Sequence, residues 1–225
     1  NAGCSYTESA TRIGYTFEGR STDANSTTPT GTNTVNQSSA SGEYYAVWSD
    51  TNGVRSESST LTHRFYTASG VSNTRNTTKT IPYTDVAKYY NYDLSSSRTA
   101  TTGGLAGTPT YSSLSYQTAS KSGYTFEGWT TSSSGTSASW TSGTQSPTSN
   151  SSWYAVWMDT NGTREVIESL THTFYETSNT DTFTRNTTKT TPYTNVTRYF
   201  NYDLAQERKL EDGDAQTPQY TTLAY

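Results

Sequence analysis

A chain of 225 residues with a net charge of −4 and a pI near 5.2 has no clustered cations, which excludes a nucleic-acid-binding face. No apolar run reaches the roughly eighteen residues of a membrane-spanning helix, and a single cysteine, Cys4, excludes an intramolecular disulfide framework. Only 29% of the residues are hydrophobic and 15% charged, and Ser and Thr together make up roughly a third. Such polarity borders on disorder, because few apolar groups remain to offset the entropy of ordering. Aromatics at 13%, with 19 Tyr and 5 Trp, argue the other way. Thr and Tyr suit a pleated, half-buried surface, so the composition predicts thin β-sheets with aromatic cores.

In chain order, residues 1–5 are a lead-in, and Tyr6 to Phe17 is expected to be extended. A polar loop over 20–42 and a strand over 43–48 follow. Within Tyr44-Tyr45-Ala46-Val47-Trp48 both faces carry apolar groups, which predicts a strand inside a sheet. Asp50-Thr51-Asn52-Gly53 reads as a tight turn, with Asn-Gly supplying positive φ. Leu61, His63 and Phe65 share one face of the next strand, and Arg75–Thr80 is polar and β-prone. Pro82-Tyr83-Thr84 is expected to bend the chain, since proline cannot donate to a central ladder. Val86–Asp93 reads as a strand with Tyr on both faces. Residues 95–110 read as a loop, and the only helical signal is a turn or two over Leu204–Glu211.

The pattern then starts again, with a period of about 109 residues. Tyr44–Trp48 returns as Trp153–Trp157, Leu61–Tyr66 as Leu170–Tyr175, and Arg75–Thr80 as Arg185–Thr190. This predicts a mainly β tandem repeat of four modules: 1–50, 51–115, a copy of the first over 116–158 and a copy of the second over 159–225. Leu223-Ala224-Tyr225 is in phase with Leu114-Ser115-Tyr116. Tyr220, Leu223 and Tyr225 are therefore read as a strand that completes a neighbouring module or subunit.

Lys121, Gly123, Tyr124, Phe126, Gly128 and Trp129, then Tyr154, Ala155 and Trp157, resemble the Listeria–Bacteroides repeat. This is the B-repeat type of internalin-like bacterial surface proteins. The first copy departs from it, with Arg12 at the Lys position and Arg20 at the Trp position. The resemblance covers less than half of each period. It implies small β-grasp-like or β-sandwich-like modules strung along surface proteins, in a stalk or adhesive role.

No catalytic constellation stands out. His63 and His172 are equivalent, one per copy, whereas zinc wants several ligands; each reads as a hydrogen-bonded structural histidine. No nucleophile-elbow motif accompanies the many serines. Glu18 and Glu127 read as solvated, and Glu211-Asp212-Gly213-Asp214 lacks the alternating spacing of a calcium loop. Thr101–Gly107 lacks the Lys and helix of a phosphate cradle. A covalent Lys–Asn cross-link at Lys79 or Lys189 needs an apolar site and a carboxylate that the sequence does not locate. Tyr89, Tyr90, Tyr92, Tyr199 and Tyr202 are expected in the core rather than stacked on sugars. Asn76 and Asn186 are the foremost candidate N-glycosylation sites, followed by Asn25, Asn36, Asn150, Asn161 and Asn195.

These readings predict a non-enzymatic extracellular or cell-surface protein: a stalk, adhesin or filament subunit built by module stacking. It requires no cofactor or metal, and its expected partners are copies of itself or neighbouring repeats. The alternative is a binding module for a surface glycan or a host or cell-surface protein, with Trp140 in the loop 130–152 as the candidate ligand residue.

Overall fold

The computed structural model describes residues 4–7, 9–30, 34–37, 42–176 and 182–224, with 4–7, 34–37 and 182 as backbone. Strands make up 59% and there is no helix among the described residues, as the Thr- and Tyr-rich composition predicts. Two units form, one of Asn1–Thr60 and Thr78–Ser112, the other of Leu61–Thr77 and Ser113–Tyr225.

The strands of the first unit are β1 (Cys4–Thr7), β2 (Thr16–Ser21), β3 (Thr34–Gln37), β4 (Tyr45–Tyr66), β5 (Asn73–Tyr90), β6 (Ser97–Thr99), β7 (Leu105–Ala106) and β8 (Thr110–Tyr111). The far ends of β4 and β5 belong to the second unit. That unit continues with β9 (Leu114–Ser115), β10 (Thr125–Thr130), β11 (Thr144–Gln145), β12 (Ser151–Tyr175), β13 (Thr182–Phe200), β14 (Glu207–Lys209), β15 (Asp214–Ala215) and β16 (Gln219–Tyr220).

The same pairings recur in both units. β2 runs antiparallel to β4 with Phe17 opposite Trp48, and β10 runs antiparallel to β12 with Phe126 opposite Trp157. A bulge follows each phenylalanine, ending at Gly19 or Gly128. Gly128 has a φ of 138°, and a Cβ there would meet the carbonyl oxygen of Trp140 at 2.6 Å. The Phe-Glu-Gly word therefore encodes a bulge that only glycine fits. β5 is flanked by β6, β7 and β8, as β13 is by β14, β15 and β16.

Several sequence expectations are corrected. Asp50–Gly53 is not a chain reversal; it lies within β4, and its counterpart Asp159–Gly162 lies at register shifts within β12. The Asp carboxylates accept hydrogen bonds from the backbone N–H of Asn52 and Asn161 (2.9 and 3.0 Å), which turns the chain locally without ending the strand. The expected boundaries at 50/51 and 158/159 accordingly fall inside strands. Pro82 and Pro192 also lie within strands, β5 and β13. Their carbonyls accept from Gly107 and Gln216, on the side where the flanking strands are broken, so the missing N–H forfeits no ladder bond. Residues 95–110 contain β6 and β7 rather than an unbroken loop, and the helical reading of 204–211 fails because β14 pairs with β13 there.

The tyrosines do not form the core. That of the second unit is Trp129, Trp140, Trp153 and Trp157 with Phe65, Leu114, Ala155 and Phe200, while Tyr116, Tyr124 and Tyr202 pack against it half-buried. Tyr199 instead carries the Arg208 guanidinium 4.4 Å above its ring, and in the first unit Arg98 lies likewise over Tyr89. Tyr90 donates its hydroxyl to Asp50 at 3.0 Å. The ring pair of Tyr45 and Tyr92 lies at the first unit's surface.

Candidate functional site

The β4–β5 hairpin tip is the most chemically defined feature of the second unit. β4 reaches it with His63–Tyr66, which pair in parallel with Ser151–Tyr154 at the start of β12. The sheet is therefore mixed, since β10 and β13 run antiparallel to β12. Alternation sends His63 and Phe65 to the buried face. Phe65 is 2% exposed, edge-on to Trp129 at 4.9 Å and 6.5 Å from Trp140. On the other face Tyr66 stacks on Tyr154 at 4.8 Å and meets Tyr202 edge-on at 6.0 Å.

Polar groups fix the register. The imidazole of His63 is fully buried, with Nδ1 2.8 Å from Ser151 Oγ and Nε2 2.7 Å from Thr77 Oγ1. Burial, aided by the positive field of Arg75, pulls its pKa below the usual histidine value. A neutral ring donating through one nitrogen and accepting through the other satisfies both hydroxyls. Asn150 Oδ1 accepts the N–H of Thr62 at 2.8 Å, and Arg75 Nη1 donates to the Ser115 carbonyl at 2.7 Å.

The β12–β13 hairpin ends in the same residues. His172 keeps the bond to Thr187, 2.7 Å, and Arg185 donates to the Ala224 carbonyl as Arg75 does to Ser115. Among the described residues no strand pairs with this tip as β12 pairs with β4. Phe174 stacks on Phe183 at 4.9 Å, and Phe183 is 39% and Tyr175 65% exposed. Phe174, Phe183, Arg185, Leu223 and Ala224 line a groove of about 350 Å³.

Trp140 offers no ring face to a ligand. It is 2% exposed, bridges to Trp129 and donates its indole N–H to the Ser142 carbonyl at 3.0 Å. A chain short of aliphatics fills its core with the loop tryptophan. Asn25, Asn76, Asn161 and Asn186 stand exposed, as do Asn150 and Asn195, whose side chains bond Thr62 and Asp214. The side chains of Asn36 and Cys4, and all of Tyr225, lie outside the described residues. Tyr220 pairs with Lys189 in the ladder and Leu223 lines the groove. Lys189 meets the half-exposed Glu168 at 2.7 Å on the surface, which is not the apolar setting a Lys–Asn cross-link needs. No group of three or more potential metal ligands occurs among the described residues. Asp212 and Asp214 are engaged with Thr197 N–H and Asn195.

Sequence reasoning placed His63 and Phe65 on one face but missed that the face belongs to the next unit. Phe183 was missed altogether, although the repeat marks it: Arg75 and Arg185 align, and two residues before them Asn73 gives way to Phe183. No family model matches the chain, and comparison with curated proteins and with solved structures finds no match.

Proposed function

We propose that this chain is part of a structural, extracellular repeat protein, a stalk, adhesin or filament subunit that carries no catalytic step. In this reading the tandem modules transmit order along the chain, each hairpin tip completing the core of the module after it. The observation that supports it is the burial of Phe65, which β4 delivers into the tryptophan core of the second unit, beside a buried His63 bonded to Ser151 and Thr77. Such nearest-neighbour completion is how linear arrays gain stability from small units. The aromatic and glycine words that resemble the Listeria–Bacteroides repeat support the surface location. Antibodies raised against the chain are expected to label intact source cells on extended surface structures. Labelling that appears only after permeabilisation refutes the surface reading. The binding-module alternative loses its named residue, because Trp140 lies in the core.

A further inference from the structure

We propose that the β12–β13 hairpin tip is the donor half of a head-to-tail self-association, and that its acceptor is the N-terminal unit of a second copy. The inference rests on the structural repeat reading and adds to it the partner, the two surfaces and their direction.

The donor repeats the β4–β5 tip residue by residue. Leu170, His172, Phe174 and Tyr175 stand where Leu61, His63, Phe65 and Tyr66 stand one period earlier. The earlier tip is consumed: Phe65 is inside the tryptophan core and Tyr66 is stacked on Tyr154. The later one has no such partner strand among the described residues, with Tyr175 65% exposed and Phe183 in place of Asn73 adding apolar surface. Apolar rings on the end of a strand pair are what a sheet presents to a partner.

The acceptor is the first unit's counterpart of the surface that holds Tyr66. In the second unit that surface is the pair Tyr154–Tyr202, with ring centroids 5.0 Å apart at 53°. In the first unit Tyr45 and Tyr92 form the same pair, 5.1 Å apart at 48°, and Tyr92 is 43% exposed. Gly42, Glu43 and Tyr44, which correspond to Ser151, Ser152 and Trp153, are exposed, and no described strand pairs with them. An aromatic shelf beside a stretch that no described strand covers fits a strand ending in Tyr175. β-Strand addition supplies the backbone bonds, and stacking of Tyr175 on Tyr45 and Tyr92 sets the register. Leu223-Ala224 of the donor and Cys4-Ser5 of the acceptor answer the same position of the repeat, so one of the two segments yields on docking. Because donor and acceptor are different surfaces, the contact is heterologous and propagates unless it closes into a ring.

Sedimentation of the full chain from about 10 to about 500 µM tests this, a range that reports micromolar dissociation constants. The expected result is a weight-average mass that climbs past the dimer. Tyr175→Ser removes the donor ring and Tyr92→Ser one acceptor ring; both side chains are exposed, so the folded units stay intact. Each variant alone is expected to associate about tenfold or more weakly, the usual effect of losing a central aromatic. Mixed in equal amounts, the two variants are expected to recover association as heterodimers, since each keeps the surface the other lacks, and to stop at that size. A chain that stays monomeric throughout the range overturns the proposal, and so does association that neither variant changes. Recovery that continues past the dimer in the mixture overturns the assigned direction. None of these outcomes bears on surface labelling of cells, so the repeat-protein reading can fail or survive separately.

Discussion

Tyr66 lies flat on Tyr154, 4.8 Å between centroids and 19° from parallel, although 88 residues separate them in the chain. The pairing brings the end of one long strand beside the start of the other, and Phe65 enters the core on the opposite face of the same strand. The second unit is thus completed by residues that precede it in sequence. Its stability should depend on a phenylalanine that local sequence assigns elsewhere.

Replacing Phe65 with Ala is expected to destabilise the second unit by about 3–5 kcal/mol, the cost of emptying a packed aromatic site. The equivalent Phe174→Ala change, at a partly exposed ring, is expected to cost under about 1 kcal/mol in the dilute monomer. Urea unfolding followed by tryptophan fluorescence reads both, because Trp129 and Trp140 flank Phe65. Equal shifts for the two variants would contradict the seating described.

His63 sets a pH dependence of definite sign. Burial holds its folded pKa below the ordinary value near 6.5, so beneath that value the unfolded chain binds a proton that the folded chain refuses. The His63 contribution is therefore full above about 6.5, declines as the pH falls, and levels off below the depressed folded pKa. Thermal melts between about pH 8 and about pH 5 should show this loss, and His63→Gln should flatten it. The other side chains facing the ring are Ser151 and Thr77, which do not titrate in this range, and Arg75 stays charged. A wild-type profile indistinguishable from that of His63→Gln would remove His63 as the cause.

How far this was legible follows from which interactions are local. Alternation alone puts His63 and Phe65 on one face, and the doubled aromatic words announce a β chain with a period. The Phe-Glu-Gly bulge was also written in the sequence, once glycine is read as a close approach rather than a turn. The partner of that face was not legible, because parallel pairing of Ser151–Tyr154 with His63–Tyr66 is a long-range choice with no local signature. Asn52-Gly53 misled for a related reason. The dipeptide favours a tight turn in isolation, but here the glycine is required because the Val86 carbonyl oxygen would lie 2.5 Å from any Cβ.

That close approach makes its own prediction. At Gly162 a Cβ would meet the Val196 carbonyl oxygen at 2.4 Å, the same arrangement one period on. Neither atom is the end of a flexible side chain, so the strands themselves must shift. Gly53→Ala and Gly162→Ala should each destabilise by about 1–3 kcal/mol, the range for overpacking. Gly14→Ala is the control, having open space at its Cβ and only its φ of 83° against it. It should cost about 1–2 kcal/mol from backbone strain alone, and hydrogen exchange across β4 and β5 should stay unchanged. In Gly53→Ala that exchange should accelerate around Val86.

Asp159 and Arg198 form the most enclosed ion pair among the described residues of the second unit. Arg198 donates through Nε and Nη2 to the two carboxylate oxygens at 3.1 and 3.0 Å, and the Asp side chain is 8% exposed. The same bonds hold the Arg198 guanidinium protonated even more firmly than usual. In the first unit Asp50 instead accepts a neutral hydroxyl bond from Tyr90. Asp159→Asn leaves the partly exposed guanidinium facing a neutral amide, with only the longer 3.9 Å contact to Glu207 remaining, and should cost about 2–3 kcal/mol, as for bonds to charged groups. Asp50→Asn keeps one oxygen for the Asn52 N–H and turns its amide NH2 toward the Tyr90 hydroxyl, which can accept as well as donate, so the change should cost about 1 kcal/mol. Paired urea titrations of the two variants decide it. Because burial limits screening, the Asp159→Asn loss should persist in high salt, whereas a surface pair's contribution would fade. If the two losses are alike, or if salt erases the larger one, the Asp159–Arg198 pair is no more than a surface contact.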